Sequence, residues 1–218
     1  MERTKKRALV QHTIPVKSAL IYATVLGITG YGILAAYTNW LTVLVGSAGF
    51  IVYVGFYTYA KRKTVYSTLI GSISGSAPPV AGYVAVTGSF DGAALLLFLI
   101  LTFWQMPHFY AIAIYRLKDY KAAGLPVLPV MKGIKATKIQ IIAYIVAFTV
   151  AVIMLSVLGY TGWTYLIVVG ATSLAWLRVA YRGLAAKNSQ KWAREVFKFS
   201  LIVTLVFSLM LSVNAWLP

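Results

Sequence analysis

Seven stretches of this chain are almost wholly apolar, with polar residues gathered in the gaps between them: about Val16 to Ala36, Trp40 to Ala60, Tyr66 to Val86, Ala93 to Tyr115, Ile139 to Leu158, Trp163 to Tyr181 and Phe197 to Leu217. Each has the roughly 17 to 25 residues that a helix needs to cross a hydrocarbon core. No water is available there to bond the backbone, so only helices and closed barrels satisfy it. The runs are continuous rather than alternating, which selects helices. The predicted fold is all-α, one polytopic transmembrane helical bundle of about seven spans.

The third run is less plain than its neighbours. From Tyr66 to Tyr83 it carries Gly71 and Gly75 at a spacing that lets helices approach closely, and the adjacent prolines Pro78 and Pro79, expected to kink or break it. Close packing and the lining of a cavity by Ser72, Ser74 and Ser76 both remain open. Irregular backbone at membrane depth is tolerated where protein or water surrounds it.

Composition agrees with a bilayer, since 60% hydrophobic and 11% charged residues leave too few polar groups to cover a soluble domain. A net charge of +16 suits nucleic acid in principle, but the placement of the 20 basic residues decides otherwise. They lie between Arg3 and Lys17, at Lys61 to Lys63, from Arg116 to Lys138 and from Arg178 to Lys198. The opposite loops, near Tyr37 to Asn39, Thr87 to Gly92 and Gly159 to Gly162, have none. This is the positive-inside pattern, which places the N-terminus in the cytoplasm and the C-terminus outside, with no nucleic-acid partner. The absence of cysteine removes disulfides, thiolate metal sites and a cysteine nucleophile. The basic opening runs through Gln11 and His12 without a small-residue cleavage site, so the first long run is expected to be a membrane helix and not a cleaved signal.

Chemistry is expected around Trp104 to Pro126, where an apolar helix carrying Gln105 and His108 runs into a loop carrying Arg116, Lys118, Asp119 and Lys121. Polar groups inside the membrane are expensive and mark functional sites by default. If the helix persists into the loop, His108, Ile112, Tyr115 and Asp119 share a face, with His108 roughly 16 Å deeper than Asp119. That depth suits an amphiphile with a charged head at the mouth. For His108, Gln105 and Tyr115 a hydrogen bond across helices is an equally good reading. Arg116, Lys118 and Lys121 suit a phosphate or diphosphate, with Asp119 as a magnesium ligand. Arg3 to Arg7 form a second basic cluster on the same side. Lys132, Lys135 and Lys138 read as solvated anchors, and Arg178 as a snorkelling side chain at a span end. The loop from Arg116 to Lys138, with Gly124, Pro126, Pro129 and Gly133, is expected to form a structured mouth.

The opening Met1 to Arg7, the Ser-Ala-Pro-Pro-Val segment at Ser76 to Val80, Trp104 to His108 and Arg116 to Val130 together resemble the protoheme IX farnesyltransferases, or heme O synthases, a branch of the intramembrane prenyltransferase superfamily. The resemblance covers essentially the whole chain. It implies transfer of farnesyl from farnesyl diphosphate to a vinyl group of protoheme IX (heme b), with water added, giving heme O for terminal oxidase maturation in a bacterial inner membrane. It also implies Mg2+ as cofactor, and heme A synthase or a terminal oxidase as protein partners. By position, Arg3, Arg7, Arg116 and Lys118 would hold diphosphate, Asp119 would hold magnesium, and His108 and Tyr115 would line the acceptor or reaction cavity. The family fold has nine spans around a central cavity. Residues 1–218 would then be a single transmembrane prenyltransferase domain lacking the first two spans and their Asn- and Asp-rich motif. The alternatives are a quinone-type aromatic prenyltransferase, a catalytically inactive membrane fragment and a transporter. The last is disfavoured because no internal repeat is visible and polar groups gather at one mouth.

Overall fold

A computed structural model describes residues 4–217. The expected helical bundle is present, with no strand among the described residues. In chain order the helices are α1 (Val16–Tyr37), α2 (Trp40–Ile51), α3 (Thr58–Lys63), α4 (Ser67–Thr87), α5 (Gly92–Tyr115), α6 (Leu117–Ala122), α7 (Leu128–Met131), α8 (Gly133–Val157), α9 (Trp163–Tyr181) and α10 (Ser189–Val213). A π-helical turn, Val52–Tyr57, joins α2 to α3, so that Trp40–Lys63 is one continuous span and, among the described residues, 7 helices are long and apolar enough to cross a membrane. Central in the bundle, α5 packs against α4, α8 and α10, while α2 packs on the far side of α4. The main core joins Ile100, Met106 and Ile114 of α5 to Phe148 of α8 and Trp176 of α9, all fully buried. By contrast α1 packs chiefly on α2 and buries no residue.

Three expectations are corrected. First, α8 begins at Gly133 and α10 at Ser189, well before their apolar runs. Hydropathy marks where lipid begins, whereas a helix continues for as long as its backbone bonds and caps allow. The Asn188 side chain caps α10 by accepting from the Lys191 N–H at 2.9 Å. Second, α4 runs unbroken through Pro78 and Pro79. Neighbouring helices and Ser or Thr side chains can satisfy the backbone groups that a proline frees, and α4 is held between α2 and α5.

The third correction concerns Lys138. It is 7% exposed, so it is no solvated anchor. Its Nζ donates to the Gly183 carbonyl at 2.7 Å and lies 5.3 Å from the centroid of the Trp192 ring. Trp192 is pinned in turn by its indole N–H, which donates to the Val179 carbonyl at 3.0 Å. This knot fastens α8, α9 and α10 together at the basic end.

At the other end Asp91 caps α5, one oxygen accepting from the Ala94 N–H at 3.0 Å and the other from the Tyr83 hydroxyl at 2.8 Å. The Ala94 N–H first, and the Tyr83 hydroxyl after it, hold the Asp91 carboxyl below the usual carboxylate range. The stabilisation is therefore complete above the unfolded value, about pH 4, and is lost as pH falls through the lower folded value.

Two outcomes follow for stability. Gly183→Ala would drive a Cβ into the pinned Trp192 ring, and should destabilise the bundle by about 1–3 kcal/mol, read as a lower melting temperature in detergent. Asp91→Asn keeps a capping oxygen. It should match the parent at neutral pH and lose less stability than the parent on acidification to about pH 3; an identical acid profile for the two would remove Asp91 from this role.

Candidate functional site

A cavity of about 670 Å³ is sunk between the Trp40–Lys63 span, α4 and α5, and Arg7, Lys61 and Tyr120 line it at the basic end of the bundle. That volume is in the range of small-molecule sites, roughly 300 to 1,000 Å³. Phe50 and Phe109 form apolar wall, and Ser74, Gly75 and Gln105 reach it from the membrane interior. It therefore offers positive charge at one end and a largely apolar body.

The π turn sets one wall. A π turn frees a backbone carbonyl from its α partner, and the Thr58 hydroxyl donates to the carbonyl of Tyr53 at 3.1 Å. The wider turn brings side chains four apart nearly into line. Tyr53 and Tyr57 stack with centroids 5.5 Å apart and planes at 21°, and the Lys61 Nζ lies 5.7 Å from the Tyr57 centroid. Room for Tyr57 comes from Gly71, where a Cβ would meet the ring at 2.9 Å.

Gln105 sits at the α4–α5 seam, its amide nitrogen 3.0–3.1 Å from the Ser72 carbonyl, the Ser76 hydroxyl and the Leu101 carbonyl, which share its two protons. The Ser76 hydroxyl is also 3.0 Å from that of Thr102. The amide oxygen lies against Gly75, in the space a Cβ would fill. Close packing of the third run holds, and the cavity reading holds only in part, because Gly71 and Gly75 allow close approach and also line the cavity while the helix stays unbroken. Of the three serines considered, Ser74 lines it, while Ser72 and Ser76 are buried against α5.

His108 and Tyr115 lie elsewhere. The condition for one face from His108 to Asp119 fails, because α5 ends at Tyr115 and Arg116 leaves helical geometry with φ −103° and ψ 20°. It is Gln105, Phe109 and Ala113 that line the cavity, four residues apart along α5. Trp104 and His108 face α10: the Trp104 indole donates to the Ser200 carbonyl at 2.8 Å, and His108 Nδ1 is 2.8 Å from the Ser200 hydroxyl. That hydroxyl already donates to the Phe197 carbonyl at 2.6 Å. It has one proton, so His108 Nδ1 is the donor and Nε2 carries the lone pair. The Tyr115 ring is flanked by the Arg116 and Arg194 guanidiniums at 5.4 and 5.8 Å and meets Phe197 edge-on. Both residues tie α5 to α10.

The loop after α5 is structured, as expected: α6 and α7 form in it, and Gly124 and Gly133 adopt φ of 62° and 81°, which favour glycine. Arg116 and Asp119 face each other at 3.9 Å, and Lys118 is exposed. None of the three lines the cavity, which takes Tyr120, Leu125 and Val127 from this segment. Arg3 lies outside the described residues. Among the described residues no group of three His, Cys, Asp or Glu gathers to hold a metal. A magnesium ion brought in by a diphosphate needs one or two carboxylates beside the phosphate oxygens; the one carboxylate on this segment, Asp119, faces Arg116 and stands outside the cavity lining.

Sequence reasoning missed Lys61, Tyr53, Tyr57 and Tyr120. The run Lys61 to Lys63 read as topology alone, although Tyr53, Tyr57 and Lys61 repeat every four residues and could have been noticed.

Residues 1–202 match the UbiA prenyltransferase family. A protoheme IX farnesyltransferase of Yersinia pseudotuberculosis is 55% identical over 215 residues, 98% of this chain and 73% of the relative. One from Photorhabdus laumondii is 53% identical over 219 residues, covering 100% of this chain and 74% of the relative. Among solved structures, a digeranylgeranylglyceryl phosphate synthase superposes with a TM-score of 0.78 at 19% identity, over 98% of this chain and 76% of that one. A UbiA homologue from Aeropyrum pernix does so with 0.76 at 18% identity, over 98% and 78%. Those two likenesses concern the fold. With its apolar spans, its basic-ended cavity and a family match over nearly its whole length, this chain is an integral membrane protein that belongs to the UbiA prenyltransferase family.

Proposed function

We propose that this chain transfers the farnesyl group of farnesyl diphosphate to a vinyl group of heme b, with addition of water, to give heme O. The observation that carries the reading is the cavity with Arg7, Lys61 and Tyr120 at one end and an apolar body behind them, which suits an isoprenoid with an anionic head. The acceptor is taken from relatives at 53–55% identity named for protoheme IX. Residues 1–218 act as one prenyltransferase domain, with the basic-rich ends of the spans on the cytoplasmic side of a bacterial inner membrane.

In the transfer, the allylic C–O bond breaks and its electron pair leaves on the diphosphate. Arg7, Lys61 and the Tyr120 hydroxyl stabilise the developing negative charge, worth most in a site with little water. Arg116 and Lys118, exposed on the adjoining segment, steer the diphosphate in. Magnesium held by Asp119 would supply further positive charge to the leaving oxygens. The vinyl π pair bonds to the allylic carbon, the resulting cation next to the porphyrin ring takes the oxygen of water, and a proton leaves. Phe50, Phe109 and the Tyr53–Tyr57 stack exclude water from the isoprenoid until that point. His108 and Tyr115 act as positioning residues, through the α5–α10 contact.

Heme extraction and chromatography after incubation with heme b and farnesyl diphosphate test the reading; transfer to a soluble aromatic acid with none to heme would overturn it. In an active preparation, Lys61→Gln should lower kcat/KM for farnesyl diphosphate by about 10- to 100-fold, the worth of one charged hydrogen bond, and Asp119→Asn should abolish heme O formation while insertion stays intact. Normal heme O yield from well-expressed Asp119→Asn removes the carboxylate from the mechanism.

His108→Ala should lower the melting temperature and turnover together while farnesyl diphosphate affinity holds, as expected of a residue bonded to Ser200. A selective loss of diphosphate affinity would contradict its placement on the α10 side.

A further inference from the structure

A second cavity, of about 340 Å³, lies on the face of α4 turned away from the first. Tyr66 and Leu69 line it, whereas Ser67, Thr68 and Gly71 line the first, as about 100° of turn per residue requires. Its other walls are Tyr110 from α5, Leu128 from α7, and Ala136, Gln140 and Tyr144 from α8. It shares no lining residue with the proposed prenyl-transfer site, and its assignment does not rest on that reaction.

Two side chains indicate what it would hold. Tyr110 is 6% exposed, its ring packs against Tyr144 with centroids 6.2 Å apart, and its hydroxyl bonds no described residue. The oxygen is not sealed in, since the Tyr165 hydroxyl is the one enclosed and unpartnered among the described residues; it opens to the cavity, where an acceptor on a ligand would reach it. Lys132, at the start of α8, also lines the cavity; its Nζ lies 5.9 Å from the Tyr66 centroid, and no described carboxylate pairs with it. No described acidic residue lines the cavity, so the charge of its described lining is positive. Apart from the Gln140 amide and the tyrosines the remaining walls are apolar, with Leu69, Leu128 and Ile139 among them, and Ile139 is half exposed on the flank of α8.

We infer that this cavity binds the phosphate headgroup of an anionic membrane lipid, with Lys132 taking the charge, the Tyr110 hydroxyl donating to a headgroup or ester oxygen, and an acyl chain running past Leu69 and Ile139. A lipid is favoured over free phosphate because the polar groups stand at the basic end of the spans, at headgroup level, above apolar wall. The aromatic groups Tyr66, Tyr110 and Tyr144 suit that interfacial position.

The test uses the 218-residue chain reconstituted with phosphatidylcholine and phosphatidylglycerol, released into mild detergent and weighed by native mass spectrometry. One phosphatidylglycerol should be retained in preference to phosphatidylcholine. Lys132→Gln and Tyr110→Phe should each reduce that retention by about five-fold, the usual worth of one interfacial lysine or one hydrogen bond. Lys135→Gln, an exposed neighbour outside the lining, should leave it unchanged, and melting temperatures confirm that each variant is folded. Unchanged retention in either Lys132→Gln or Tyr110→Phe overturns the assignment, and so does release of the lipid by inorganic phosphate, which would identify a soluble-anion site.

Discussion

In hydrocarbon a polar side chain finds its hydrogen-bond partner in protein or not at all, and the way α5 meets that demand orients everything around it. Gln105 and Thr102 turn to the serines of α4, Trp104 and His108 to Ser200 of α10, and Asp91 to Tyr83 across the turn. These bonds fix the rotation of α5 about its axis. With that rotation fixed, Phe109 and Ala113 must face the first cavity and Tyr110 the second. The site is thus a consequence of bonds made mostly outside it.

Between helices in lipid there is little hydrophobic driving force, so close contact has to come from shape. Here glycines stand opposite large, anchored partners: Gly71 opposite Tyr57, Gly75 opposite Gln105 and Gly183 opposite Trp192. In the last two pairs the partner is held by hydrogen bonds as well as by the fit. Shape and bonding agree on the same arrangement, which is how a bundle with few charged side chains settles on one packing.

The spans were legible because a membrane helix announces itself by apolarity alone. Their basic ends were not, since Lys135, Lys191 and Arg194 lie on helix beyond the lipid and read as loop. Helical spacing put His108 and Tyr115 on one face, but spacing cannot say which neighbour a face will meet, and theirs meets Phe197 of α10. Lys138 shows a similar ambiguity: a lysine near a span end reads as an anchor, and only the fold reveals that Gly183 and Trp192 enclose it. The mouth loop was read correctly because its glycines and prolines have fixed backbone preferences. The π turn left no such mark, and with it Lys61 passed as topology.

A π turn holds one residue more than the α turn it replaces, so everything beyond Tyr57 is carried about 100° around the axis compared with an uninterrupted α-helix. Excising a single residue from Val52–Tyr57 would leave the length and apolarity of this span almost as they are, yet would swing Lys61 off the cavity wall and break the Tyr53–Tyr57 stack. Substitutions here alter one side chain at a time, whereas a one-codon deletion acts as a rotation of the whole cationic end.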